Sequence, residues 1–342
     1  MKNLNFLSAV LSVLLLALGV QSVTAAVGGW DKIAASKPKQ ILYFSRSAGF
    51  EHSVIKLPAP GQPSYSDKLL TEWGKANHFE VTCSKDGGIF SQPDIAKYDV
   101  FVFYITGSLT EPGNDKNPPM TAAGKQAFLD AIRNGKGFVV IHAAADACHY
   151  EPDPPDRSER YKAHGDKVDP YIAMLGAEFI KHGAQQAPNV MVTDNHFPGL
   201  ENLGDRFTLH EEWYTLKDFL PDLRVLLVMD TKGMTGTDYQ RAPYPSTFAH
   251  RYGQGRVFYT AMGHREDVWT NSIFQNALLG GLGWAAGNVD ADLTPNIEKV
   301  TPGYREIQPF VPTQPKEDKK SKRDKKKIIK PNVANERVAR EL

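Results

Sequence analysis

Apolar runs bounded by turn residues alternate with helical patterns along the first half of the chain. Four such runs predict strands: Gln40–Ser45, Phe79–Cys83, Asp99–Ile105 and Phe138–Ile141. Two segments between them have helical spacing of apolar residues, Tyr65–Asn77 and Ala122–Asn134, and Thr121 can cap the second. Continuous apolar runs are typical of strands buried on both faces, and their alternation with helices favours right-handed crossovers. The pattern therefore predicts a doubly wound α/β domain with a mostly parallel sheet.

The second half of the chain is less regular. Five further strands are predicted: Val190–Thr193, Phe207–Leu216, Val225–Met229, Thr247–Tyr252 and Arg256–Ala261. The turn Tyr252-Gly253-Gln254-Gly255-Arg256 predicts a hairpin, so the late strands are expected to be antiparallel. We expect Ala177–Ile180 to end a helix and Asn271–Ala286 to form the closing one. The polar segment Asp146–Asp169 is too long for a simple connection and is expected to fold over the functional site as a lid.

The N-terminus has the pattern of a cleaved signal peptide. A lysine precedes an apolar run from Phe6 to Val20 and a small-residue stretch that ends at Ala26. The run is shorter than the roughly 20 residues that a spanning helix needs, so we expect the mature chain to be released, with an uncleaved anchor as the alternative. Residues 27–290 are predicted to form one α/β domain, and residues 291–342 a Pro-containing linker and a Lys-rich disordered tail. The protein is therefore expected to be periplasmic or secreted, without stable membrane insertion.

The net charge of +1 conceals an asymmetry along the chain. Residues 316–330 hold nine basic and three acidic side chains, so the rest of the chain carries −5. A mildly acidic body gives no indication of nucleic-acid binding. The basic tail can contact anionic envelope polymers, or it is a solvated extension with no partner.

Candidate chemistry is expected at one edge of the sheet. In doubly wound sheets the ligand site lies outside the carboxyl ends of the strands, because successive loops splay apart there. His52 lies in the loop after the first strand, His142 ends the fourth, and His264 follows the last. Asp146 lies one short turn beyond His142, and Arg265 follows His264. The sequence thus predicts a cluster of imidazoles and charged groups at this edge. The alternatives are hydrogen bonds that merely organise the loops for His52 and His264, and a strand-end histidine bonded only to the backbone for His142.

Alternation along Phe207–Leu216 places Glu212 and Tyr214 on one face and Trp213 on the other. Glu212 is the best candidate for a general base or metal ligand, and His182 can point to the same place. Among the remaining histidines, we expect two to be structural, His210 and His250. We expect the other four to lie at the surface: His78, His149, His164 and His196. Gly263 needs no role beyond a permissive turn. The chain has no phosphate-cradling glycine loop, so no nucleotide cofactor is expected.

Several segments resemble the ThuA-like, or trehalose-utilisation, domain family, which belongs to the class I glutamine amidotransferase-like fold. They run in family order between Gln40 and Gly287: Ala48–His52, Gly137–His142 with Asp146, Leu175–Phe179 with His182, Glu211–Tyr214, and Tyr252–Tyr259 with Gly263–Arg265. The resemblance implies a flavodoxin-like, mostly parallel sheet with antiparallel late strands. It also implies sugar metabolism, including the processing of oxidised (3-keto) disaccharides.

The two cysteines bear on the expected reaction. Amidotransferases of this fold carry a nucleophilic cysteine at the strand–helix elbow, where this chain has His142. Cys83 and Cys148 lie elsewhere, so glutamine hydrolysis is not expected. They follow different predicted strands, and we expect two buried free thiols, with a disulfide as the alternative.

The leading hypothesis is a hydrolase or lyase that acts on a glycosidic or keto-sugar bond. Glu212, His142 and His264 are assigned to catalysis. The resemblance implies a divalent metal, with zinc favoured, bound by His142, His182 and His264; metal-free proton transfer by the same imidazoles stays open. Contacts with a small-molecule sugar are assigned to His52, Asp146, Tyr214, Trp213 and Arg265.

Two alternatives stay open beside this enzyme. One is a non-catalytic sugar-binding or interaction module in which Trp213, Tyr214 and Tyr150 stack on sugar rings. The other is a different metal-dependent hydrolase on the same scaffold, because one fold supports many chemistries. Metal content and turnover distinguish the three.

Overall fold

The computed structural model describes residues 37–91, 93–114, 116–149 and 157–312. The predicted signal peptide, Tyr150 and the tail from residue 313 lie outside the described residues. The strands in the described part are β1 (Lys39–Ser47), β2 (Phe79–Ser84), β3 (Val100–Thr106), β4 (Gly137–Ile141), β5 (Glu178–His182), β6 (Asn189–Val192), β7 (Arg206–Thr208), β8 (Tyr214–Lys217), β9 (Arg224–Met229), β10 (Tyr244–Tyr252) and β11 (Gly255–Thr260). The helices are α1 (Tyr65–Ala76), α2 (Ala122–Arg133), α3 (Pro170–Leu175), α4 (Glu266–Trp269), α5 (Ser272–Ala285) and α6 (Ile297–Val300). Within these described ranges, each helix is too short or too polar to cross a membrane.

The main sheet joins a parallel half to an antiparallel half. In the described ranges it has nine strands, in the order β2-β1-β3-β4-β11-β10-β9-β6-β7. Neighbours from β2 to β11 are parallel, and those from β11 to β7 are antiparallel. β5 and β8 form a separate antiparallel pair. The predicted class, a doubly wound α/β sheet with antiparallel late strands, is confirmed.

Apolar runs and helix caps explain the parallel half. β3 and β4 are buried along their whole length, as expected for central strands covered on both faces. α1 begins with a capping box, in which the side chain of Ser64 accepts from the backbone of Asp67 and the carboxylate of Asp67 accepts from the backbone of Ser64. Thr121 caps α2 as predicted, accepting from the backbone of Gly124 at 2.9 Å. These elements hold the carboxyl ends of β1, β3, β4 and β11 at one edge.

Two predictions for the second half are wrong. Phe207–Leu216 is not one strand, because β7 pairs with β6 in the main sheet whereas β8 pairs with β5 in the small one. Glu211 lies between β7 and β8 in an isolated bridge with Gln186. Ala177–Ile180 does not end a helix, because Gly176, at φ +93°, terminates α3 and β5 begins two residues later. Both errors concern short strands whose partners are distant in sequence.

The described part of the predicted linker packs against the domain. Ile297 in α6 and Tyr304 after it are each 1% exposed. The side-chain amide of Gln308 donates to the hydroxyl of Thr215, in β8, at 2.9 Å. The packed body therefore reaches at least Gln308, beyond the boundary expected at residue 290.

The cysteines are free thiols, as predicted. Cys148 is buried, whereas Cys83 is only half-buried at the end of β2. Burial raises the pKa of the Cys83 thiol to about 12, and the nearby Asp67 adds to the shift. Because the thiolate is the nucleophilic form, Cys83 is inert near neutral pH.

Candidate functional site

His142 lies where β4 turns into a short 3₁₀ helix, His142–Ala145. Its φ of +43° falls in the left-handed region, which is strained for a residue other than glycine. The imidazole is fully buried, and Nδ1 lies 2.8 Å from the carbonyl oxygen of Ala261. Because a carbonyl only accepts, Nδ1 is the donor in this hydrogen bond, and Nε2 faces the Glu212 carboxylate at 3.6 Å. The backbone conformation and this hydrogen bond together fix the orientation of the ring at the sheet edge.

Four side chains from four separate segments meet at this edge: His52, His142, Glu212 and His264, called here the histidine cluster. One ligand atom from each lies within 4.8 Å of the others. The three imidazole centroids are 5.0 to 5.3 Å apart. Within the described residues, His52 Nδ1 and His142 Nε2 are buried and make no hydrogen bond. The structure therefore brings together the three histidines that strand topology predicted at one edge, and Glu212 joins them.

Charge in the histidine cluster is set by burial and mutual contact. Burial, with His142 and His264 nearby, lowers the pKa of His52 to about 2, so this imidazole is neutral. Burial alone would raise the pKa of Glu212, but His142 and His264 outweigh it and hold that pKa well below its ordinary value. The Glu212 carboxylate lies 3.6 Å from His142 Nε2 and 3.1 Å from His264 Nδ1. A neutral imidazole and an ionised carboxylate are the protonation states that bind a metal ion.

Glu211 organises the cluster and was missed from sequence. It is fully buried, and Oε2 accepts from the backbone of Gly263 at 2.9 Å and of His264 at 3.1 Å. Its Oε1 accepts from the backbone of Glu212 at 2.7 Å. Burial raises the pKa of Glu211 despite the opposing effect of His142. The sequence does show two adjacent acids, Glu211 and Glu212, but the alternation of polar and apolar residues along the predicted strand favoured only Glu212 as a site residue.

Gly263 has a larger role than a permissive turn. Its φ is +119°, and a Cβ there would lie 2.8 Å from Cγ2 of Ile141. Its carbonyl oxygen accepts from the Tyr104 hydroxyl at 3.2 Å and from Trp269 Nε1 at 2.8 Å. Glycine at this position thus lets the chain after β11 approach β4 and present His264 to the cluster.

Two aromatic side chains near the cluster are buried. The ring of Tyr214 lies 4.2 Å from that of His142, and Tyr214 is 3% exposed. Trp213 is 1% exposed, and its Nε1 donates to the carbonyl oxygen of Gln186 at 3.2 Å. The structure therefore contradicts the prediction that these two rings stack on a sugar, because neither face is open to a ligand.

Three more accessible side chains border the cluster: Phe50, His182 and Arg265, called here the site mouth. Nδ1 of His182 lies 3.2 Å from Oε1 of Glu212, and the His182 side chain is 41% exposed. Phe50 is 68% exposed, with its ring 5.0 Å from that of His52. Arg265 donates to the Asp267 carboxylate at 2.8 and 2.9 Å. His182, a predicted ligand, touches Glu212 but lies outside the four-residue group.

A second group of buried charges surrounds Glu178 and is called here the Glu178 network: His149, His164, Glu178 and Lys217. The Glu178 carboxylate lies 3.0 Å from His149, 2.8 Å from His164 and 3.1 Å from the Lys217 ammonium. The prediction that His149 and His164 lie at the surface is wrong, because their side chains are 6% and 7% exposed. They anchor the segment predicted as a lid on β5 and β8.

Asp146 contacts the Glu178 network through His149 and is not part of the histidine cluster. Its Oδ1 lies 2.8 Å from His149 Nε2 and 3.3 Å from Arg160. A metal is not required to neutralise Glu178, because the ammonium of Lys217 already lies 3.1 Å from its carboxylate and 3.0 Å from His164 Nδ1.

Fold and site define a class of protein: a doubly wound α/β domain with a histidine–carboxylate cluster at the carboxyl ends of its parallel strands. The family described as ThuA, trehalose utilisation, matches residues 40–285, and the chain belongs to this family. Family membership supports a role connected with sugars.

Two solved structures are similar to this chain, and the first of them supports the fold. A ThuA-like protein from Bacteroides uniformis ATCC 8492 is 20% identical, with a TM-score of 0.52 over 73% of this chain and 93% of that one. A ThuA-like protein from Parabacteroides merdae ATCC 43184 is also 20% identical, with a TM-score of 0.47 over 80% and 98% of the two chains. No curated protein matches this chain.

Proposed function

We propose that this protein is a metal-dependent enzyme that breaks the glycosidic bond of a disaccharide, with a 3-keto disaccharide as the favoured substrate. The observation that carries the proposal is the convergence of three imidazoles and one carboxylate within 4.8 Å. Three nitrogens and one oxygen are a donor set that zinc accepts. The hydrogen bond from His142 Nδ1 to Ala261 fixes the ring in the manner of a metal-binding histidine.

The residues fit a divalent cation, and zinc is favoured. His52, His142, His264 and Glu212 would hold it, and a bound zinc ion would supply a Lewis acid toward a carbonyl oxygen of the substrate. Glu212 then serves as a ligand. A general base needs a pKa near the working pH, whereas the pKa of Glu212 lies well below its ordinary value.

His182 is the residue to which we assign proton transfer. It borders the cluster without belonging to the four-residue group, and it is accessible from solvent. In a 3-keto sugar the proton on C2 is acidic, because the C3 carbonyl stabilises the resulting anion. Transfer of that proton to the imidazole, with departure of the oxygen on C1 and its protonation, completes an elimination.

The site mouth supplies contacts that suit a sugar. The exposed ring of Phe50 offers an apolar face beside the histidine cluster, and sugar rings have a matching C–H face. Arg265 Nη1 donates to Gln185 at 2.7 Å, which fixes a polar edge next to His264. The backbone carbonyl of Phe50 accepts from Thr106 at 2.8 Å, which steadies this loop.

Turnover of 3-ketotrehalose by zinc-loaded protein tests the proposal. We expect His182→Ala to reduce kcat by roughly 10²–10⁴-fold, the usual contribution of a general acid or base, with its metal retained. Glu212→Gln is expected to lose both turnover and metal, and His196→Ala, at an exposed histidine, to match wild type. A wild-type rate in His182→Ala would remove its proposed role. Binding of the sugar by the zinc-loaded wild type without turnover would instead establish the non-catalytic module.

We also propose that the protein is exported after cleavage behind Ala26. The small-residue stretch before Val27 supports this site. The intact mass of protein recovered from its native cell envelope or medium is expected to correspond to a chain that begins at Val27. A chain that retains its first 26 residues inside the cell would contradict export.

A further inference from the structure

A polar cavity lies at the edge of the main sheet, apart from the histidine cluster. Its volume is about 430 Å³, within the range of small-molecule sites. It is lined by the carboxyl ends of β1 and β2, the first turn of α1 and the loop at Asn117. Loops after parallel strands are where α/β proteins bind ligands. None of the described residues of the histidine cluster or the Glu178 network lines it.

Two side chains that line this edge cavity each have an oxygen without a hydrogen-bond partner in the described part of the chain. Ser45, 1% exposed, and Asp67, 5% exposed, both line it. Ser45 Oγ and Asp67 Oδ1 are buried and make no hydrogen bond within the described residues. The other Asp67 oxygen, Oδ2, accepts from the backbone of Ser64 at 2.8 Å, so the capping box fixes the carboxylate in place. Buried polar groups are rarely left unpaired, so these two oxygens favour a polar ligand in the cavity.

The charged side chains that line the edge cavity indicate which kind of ligand it can bind. Lys85 also lines the cavity, with its side chain 6% exposed and its ammonium 3.7 Å from the Glu51 carboxylate. Asp67 and Asp86 both line the cavity and would repel an anionic ligand, whereas Lys85 would repel a cation. A hydroxyl group both donates and accepts, so it can bond to the carboxylate of Asp67 and to the hydroxyl of Ser45.

We propose that the edge cavity is a second binding site, for a neutral polyhydroxylated ligand of monosaccharide size. The site stands on its own geometry and does not depend on the reaction assigned to the histidine cluster. A ligand there satisfies Ser45 Oγ and Asp67 Oδ1 together, which a single apolar molecule cannot do.

Calorimetric titration of the full-length mature protein with D-glucose and with myo-inositol tests this site. We expect saturable binding of at least one of these polyols, about tenfold weaker in Ser45→Ala, the change produced by loss of one hydrogen bond. Asp67→Asn, which can keep the capping oxygen, and Lys85→Met are expected to weaken it similarly. Glu212→Gln, a variant of the histidine cluster, is expected to bind the same polyol with unchanged affinity. Thermal unfolding checks that each variant is folded.

Three results would overturn the proposal. The first is absence of binding of both polyols by the wild type. The second is wild-type affinity in folded Ser45→Ala and Lys85→Met, which would show that the polyol binds elsewhere. The third is loss of all binding in Glu212→Gln, which would place the polyol at the histidine cluster.

Discussion

Replacing His142 with alanine is expected to abolish stoichiometric zinc binding. The side chain supplies one of four donors, and its Nε2 is buried with no other hydrogen bond in the described residues. Loss of an outer hydrogen-bond partner of a ligand typically costs about 10–100-fold in metal affinity, and loss of the ligand itself is expected to exceed that. Elemental analysis after dialysis against a weak chelator measures the change, and thermal unfolding shows whether the variant folds.

His196→Ala is the matched control for this experiment. His196 is exposed and is not part of the histidine cluster, so its removal is expected to leave the zinc content at the wild-type level. If folded His142→Ala keeps one zinc ion per chain at wild-type affinity, the cluster is not the metal site, and the assigned ligand role of His142 is wrong.

Replacing Lys217 with methionine is expected to lower the free energy of unfolding by about 3–5 kcal/mol, the usual cost of leaving one partner of a buried ion pair alone. The Lys217 side chain is 0% exposed and lies 3.1 Å from Glu178, which is 1% exposed. The double variant Lys217→Met/Glu178→Gln is expected to recover much of the loss. Urea unfolding at neutral pH measures the free energy of unfolding of the wild type, the single variant and the double variant.

An exposed lysine provides the control. Lys162, 60% exposed, pairs with Glu159 at 2.5 Å, and surface pairs contribute only about 0–1 kcal/mol. Lys162→Met is therefore expected to change stability little. Equal stability of Lys217→Met and Lys162→Met would show that the Glu178 network does not stabilise the fold.

The Glu178 network also makes the free energy of unfolding depend on pH. Burial would raise the pKa of Glu178, but the hydrogen bond from His149 and the charge of Lys217 lower it from 4.5 to about 2. The stabilisation from this depressed pKa is therefore complete above pH 4.5, the unfolded value, and is lost as the pH falls toward 2.

Elements with a strong local signal could be predicted from sequence. The apolar runs of β1, β3 and β4 and the cap of α2 identify themselves within a few residues, because burial on both faces demands continuous hydrophobic strands. β5 and β8 could not be found in this way. Glu178 and Lys217 interrupt their apolar pattern, and the burial of these two charges is compensated by their pairing across the strands and by His149 and His164, which are distant in sequence.

The site residues likewise include some that could be predicted from sequence and some that could not. His52, His142 and His264 could be placed together because parallel topology brings loop ends to one edge. Glu211 could not be assigned, since its partners are the backbone groups of Gly263 and His264, some fifty residues later. The burial of His164 likewise depends on Glu178, a contact that no local pattern signals.

The most direct test is anomalous diffraction at the zinc edge from crystals of the zinc-loaded protein. A single strong peak is expected among His52, His142, Glu212 and His264. A zinc-loaded crystal with no peak there, or with its only peak beside His164 and Glu178, would contradict the metal centre on which the proposed enzyme rests.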